Sequence, residues 1–209
     1  MDKFEYKMRE NMAFEVQPGT HESLHRRFLD DLRSVSLAKT PTLWHSYKRE
    51  LDSIELKEPR EQLRIGLVGE LFTLMEPFSN FNLEKELTNA GCLVSRKMNA
   101  SFLVFSRKNK SLQDSEGYLK RLPGANGADT IAQAADYAKL GYDGVIHMKS
   151  FGCTPEINVM PALNKLSHDM NLPVLHLSFD THTGEAGLQT RLEAFVDMLR
   201  MRKAGGMLC

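Results

Sequence analysis

Apolar residues recur along this chain at two kinds of spacing. From His21 to about Leu51 they return every three or four positions: Leu24, Phe28, Leu29 and Leu32, then Leu43, Trp44, Tyr47 and Leu51 beyond Pro41. That period predicts two amphipathic helices broken near the proline, with Trp44 packed on the apolar stripe rather than holding a ligand. Residues 1 to about 20 carry no sustained period and are read as a flexible tail, or as an arm that orders only on a partner.

After the punctuation at Glu58-Pro59 the pattern changes to short, mostly apolar runs at 63–69, 92–95, 145–148 and 172–179, bounded by glycine, proline or polar residues. These are read as four buried strands. Helical patterns fall between them. Leu83 and Leu87 precede a stop at Gly91; an alanine-rich helix over 128–139 closes at Gly141; Ile157, Met160, Leu163 and Leu166 mark one face of a helix from about Pro155. Pro161 should kink or break that helix. Leu188, Leu192, Phe195, Val196 and Leu199 mark the last one, ended by Gly205-Gly206. The stretch 97–121 allows no assignment, because Phe102 to Phe105 suits a strand or a helical turn equally.

Strands alternating with helices predict an α/β fold: a mostly parallel sheet of about four strands with helices on both faces, flavodoxin-like or Rossmann-like, preceded by N-terminal helices. The expected divisions are a tail at 1–20, a helical extension at 21–60, an α/β domain at 61–203 and a disordered end at 204–209. In such sheets the site lies beyond the carboxyl ends of the strands. Four segments would meet there: Gly69-Glu70, Ser95-Arg96, 150–156 and 180–185.

Cys153 stands where a strand runs into a helix. Helix-start amides would favour its thiolate as metal ligand or nucleophile, with Thr154 as the cap and Pro155 in the first turn. A lone cysteine is also commonly a small buried hydrophobe. His182 is a candidate acid, base or metal ligand on a polar loop. The same loop also reads as a capped helix start, with Thr183 as cap and Glu185 near the helix dipole. Gly124 and Gly127 alone are a weak anion signal. Neither they nor Gly66 and Gly69 complete a phosphate-loop or dinucleotide pattern, so no nucleotide site is predicted on this chain, and no zinc-type spacing occurs.

Charge narrows the field. The 209 residues hold 27 basic and 27 acidic side chains, which gives no general reason to expect nucleic acid. Three cysteines, at 92, 153 and 209, form no disulfide framework and point to a reducing, cytoplasmic setting. No run approaches the ~18 apolar residues a membrane span needs, and Cys209, as the last residue, is not a prenylation cysteine.

Several phrases together carry a family likeness: 64–70, 76–80, 142–147, Phe151-Gly152-Cys153-Thr154-Pro155-Glu156, and above all the long run from His182 to Phe195. Over about residues 60 to 203 the chain resembles the C-terminal part of the acyl-CoA dehydratase activase-related proteins, or CoA protein activases, relatives of the 2-hydroxyacyl-CoA dehydratase subunits. The resemblance implies an anaerobic system in which an ATP-dependent activase passes a low-potential electron to a cluster-bearing partner, with an acyl-CoA as possible substrate. It implies Cys153 as a [4Fe-4S] ligand; sheet topology, not the resemblance, adds Glu156, His182 and Glu185 as candidate catalytic groups of the same cleft. The family's N-terminal half, with its further cysteines, has no counterpart among residues 1 to 60. The other ligands are therefore expected from another chain or segment, in a homo- or hetero-oligomer. The rival expectation is a noncatalytic scaffold or interaction subunit that has lost the cluster and docks through the helices at 21–51.

Overall fold

The computed structural model describes residues 2–57, 62–105, 117–119 and 123–205. It divides into two compact units, Met1–Gln62 and Leu63–Cys209.

The first unit is helical: α1 (Asp2–Met12), α2 (Thr20–Ser34), a 3-10 turn (Leu37–Lys39) and α3 (Thr40–Ser53). Pro41 falls in the first turn of α3, where its missing N–H costs nothing. The structure corrects the expectation of a tail over the first twenty residues. Phe4 of α1 is fully buried, with its ring 4.9 Å from Phe28 and 6.0 Å from Trp44. One deeply packed ring on an otherwise polar segment is enough to dock a helix while leaving no periodic signal.

The second unit is an α/β layer built on four strands, β1 (Arg64–Gly69), β2 (Leu93–Arg96), β3 (Gly144–Ser150) and β4 (Val174–Phe179). All pairings are parallel and the order is β2-β1-β3-β4. Between the strands lie α4 (Leu71–Met75), α5 (Leu83–Asn89), α6 (Ala100–Phe105), α7 (Gly127–Lys139) and α8 (Thr154–Asp169); α9 (Glu185–Gly205) follows β4. One face of the sheet packs Ile65, Leu67, Ile146, Met148 and Leu177 on Leu83 and Leu87 of α5 and on Leu188, Leu192 and Leu199 of α9. The other packs Val145 and Val174 on Ile131, Ala134 and Tyr137 of α7 and on Val159, Leu163 and Leu166 of α8. Helices thus cover both faces, as parallel crossovers require. Gly66 leaves room for the Tyr137 ring, which a Cβ there would meet at 2.4 Å.

Two local expectations about α8 change. The helix runs through Pro161 without a break, held by its buried Val159, Leu163 and Leu166. Its inward face is Glu156, Val159, Leu163 and Leu166, while Ile157 is exposed. The apolar count misread the face because its first member is a carboxylate. The segment 106–116, Gly206 and Cys209 lie outside the described residues.

Candidate functional site

Because all four strands are parallel, the loops after them open on one edge. The strand order reverses between β1 and β3, so the crevice at that switch point lies between Gly69-Glu70 and the turn from Ser150 to Cys153. Glu70 is committed locally: its carboxylate accepts from the amides of Phe72 at 2.9 Å and Thr73 at 3.0 Å, and its own N–H donates to the Met148 carbonyl at 2.8 Å. Lys149, 4% exposed, donates to the Phe151 carbonyl at 3.5 Å.

Cys153 is itself the N-cap of α8, half-buried and with no side-chain cap bond, so Thr154 is the first helical residue rather than the cap. Its thiol is pushed up, not down. Burial is the largest cause; the Glu156 backbone amide opposes it, while the Glu156 and Glu70 carboxylates add to it and Lys149 opposes. Partial desolvation therefore outweighs the helix-start amides that led sequence reasoning to a ready thiolate. Cys92, 1% exposed at the amino end of β2, is pushed up to about 11, again by burial first. The two thiols sit at opposite edges of the sheet, separated by the length of a strand, roughly 20 Å. At pH 8 the Cys92 thiolate is about one part in a thousand of the total. Iodoacetamide at that pH should alkylate Cys153 slowly and Cys92 far more slowly, with both reacting alike in urea, as read by peptide mass mapping. Equal labelling of the two in the folded chain would contradict this burial.

Glu156 is 1% exposed and faces inward rather than into solvent. Thr130 Oγ1 of α7 donates to both its oxygens, at 3.0 and 3.2 Å. Its Oε2 lies 2.9 Å from Nε2 of His147, a fully buried ring on β3. His147 Nδ1 lies 2.9 Å from Nδ1 of His176 on β4, and His176 Nε2 lies 2.8 Å from Oδ1 of Asn164 on the exposed side of α8. His176 is pushed down to about 4, by burial first and then by His147, Lys149 and Arg191. Sequence reasoning assigned these rings to strands and gave them no role. The available signal was a histidine flanked by apolar residues in each of two strands, and the register pairs the two directly across β3 and β4.

His182 lies exposed on the loop after β4, and Glu185, also exposed, begins α9. Asp180 organises that loop: its Oδ1 accepts from the His182 amide at 2.8 Å and from the Thr183 hydroxyl at 3.0 Å, which holds its carboxyl below the usual range. Thr183 thus ties the loop to Asp180 rather than capping α9. Among the described residues, no hydrogen bond or ion pair joins His182 or Glu185 to Cys153 or Glu156. The structure therefore brings Cys153 and Glu156 together and leaves His182 on the loop after β4 and Glu185 at the start of α9.

A [4Fe-4S] cluster takes about four protein ligands. Among the described residues no three His, Cys, Asp or Glu side chains gather so as to hold a metal ion, and Cys153 is the one thiol at this edge. These residues alone do not fit a complete cluster. No described helix is long and apolar enough to cross a membrane.

No curated protein matches the chain. The model of the 2-hydroxyglutaryl-CoA dehydratase D-component family matches residues 41–199, from the start of α3 to the end of the apolar face of α9, and the chain belongs to that family.

Proposed function

We propose that the chain is a dehydratase-component module that works with a partner subunit on an acyl-CoA thioester. The family match supports the component role, and the half-exposed thiol of Cys153 at the switch-point crevice is the observation that carries a site there. In this reading Cys153 contributes one ligand to an iron-sulfur centre whose remaining ligands come from another chain or segment, within an ATP-driven, low-potential system. Glu70 and Lys149 supply the charges beside it, and His182 on the β4–α9 loop and Glu185 at the start of α9 are the substrate-side candidates. Free thiols at Cys92 and Cys153 accord with a cytoplasmic setting.

A second reading, a scaffold or interaction subunit without a cluster, is favoured by one observation. Leu37, 92% exposed, rims an apolar groove in the helical unit with Phe28, Leu32, Pro41 and Trp44, a surface suited to a partner. Anaerobic reconstitution with iron and sulfide separates the two. The native chain with its partner should retain iron that the Cys153→Ala variant loses. Equal iron in both would remove Cys153 from the cluster and leave the scaffold reading.

A further inference from the structure

We propose that His176 and His147 form a two-ring proton relay that takes a proton on the edge strand β4 and holds it on His147, against the buried carboxylate of Glu156. The relay goes beyond the dehydratase reading and needs no cluster.

Four contacts of hydrogen-bond length run in line: Asn164 to His176 at 2.8 Å, His176 to His147 at 2.9 Å, His147 to Glu156 at 2.9 Å, and Thr130 to Glu156 at 3.0 Å. Both nitrogens of both rings are engaged. An imidazole bonded on both sides can accept a proton at one nitrogen and release one from the other.

Donor accounting with Glu156 as carboxylate leaves a neutral orientation, one with an added proton on His147, and one that keeps that proton on His176; the relay passes between the first two. In the first, the Asn164 amide N–H donates to His176 Nε2, His176 Nδ1–H donates to His147 Nδ1, and His147 Nε2–H donates to Glu156. The amide oxygen and nitrogen of asparagine have the same shape, so turning Asn164 over costs little. In the second, His176 Nε2–H donates to Asn164 Oδ1, His147 Nδ1–H donates to His176 Nδ1, and His147 Nε2–H still donates to Glu156. The second holds one proton more. Passing from first to second, a proton from solvent bonds to His176 Nε2, and the proton on His176 Nδ1 crosses to His147 Nδ1. No oxidant or reductant takes part, and the new positive charge rests on His147.

The surroundings fix that destination. His176 faces Lys149 from β3 and Arg191 from α9, which donates to the His176 carbonyl at 2.6 Å. Glu156 from α8, held by Thr130 of α7, is the carboxylate on the line, and it touches His147. The two cations make His176 the poorer resting place for charge, and the Glu156 carboxylate against His147 offsets the deeper burial of that ring. A relay ring that passes its proton on is what such a position requires.

The test is long-range proton–nitrogen NMR of the full chain with labelled imidazoles, between pH 7.5 and 4. His176 should change from the Nδ1–H to the Nε2–H tautomer while both nitrogens of His147 enter the protonated range, with one shared midpoint. Asn164→Asp, an exposed change, removes the amide donor and should move that midpoint up by about one unit. His176→Gln should abolish the change at His147. Separate midpoints for the two rings, an Asn164→Asp midpoint equal to the native one, or titration of His147 surviving in His176→Gln would each overturn the relay.

Discussion

Gly69→Ala is expected to unfold the α/β unit or to leave it barely stable. Gly69 closes β1 at φ +134, where L side chains rarely go, and an added Cβ would stand 1.9 Å from the Met148 carbonyl oxygen. That oxygen belongs to the neighbouring strand and accepts the Glu70 N–H at 2.8 Å, so it has no free direction in which to move. Relief would require β1 and β3 to part at the switch point. A combined clash and backbone strain of this kind belongs with the rare substitutions costing more than about 4 kcal/mol. Against a typical stability of about 5–15 kcal/mol, little would remain. Urea titration measures it; a loss below about 1 kcal/mol would mean that the turn into α4 yields freely.

Glu156→Ala should come next, at about 3–5 kcal/mol. The carboxylate is almost wholly enclosed and is the acceptor for the Thr130 hydroxyl and for one side of His147. Truncation leaves a buried ring nitrogen and a buried hydroxyl without that partner, and it adds a cavity under the first turn of α8. Glu156→Gln keeps the shape and one acceptor oxygen, and should cost about 1–2 kcal/mol. The order of the two variants carries the prediction. Equal losses would mean that volume alone matters at this position.

The same residue shows how far sequence reasoning reached. Cys153 and Glu156 were picked out from their place between a strand and a helix, and the structure does put them at the carboxyl edge of β3. Sequence reasoning gave Glu156 a place in the cleft but none of its buried partners. A carboxylate three residues into a helix reads as a dipole partner until its buried partners, one on α7 and one on β3, are known. Thr130 lies 26 positions away and His176 lies 29 positions from His147, separations no local pattern encodes. The sign of the Cys153 shift was missed for a related reason. Amides at a helix start are visible in sequence; the desolvation that opposes them depends on what packs around the thiol.

Apolar periodicity was sufficient for the four strands, for α5, α7, α8 and α9 and for the parallel layer, but not for the short α4 and α6, because a buried face must repeat at the period of its element to be seen. It also sufficed to bring the loops after the strands to one edge. It could not show that α1 docks through a single Phe4, that α8 continues through Pro161, or that two histidines on adjacent strands meet nitrogen to nitrogen. Those outcomes rest on packing and hydrogen bonding between residues distant in the chain, and only the folded arrangement brings such groups within reach of one another.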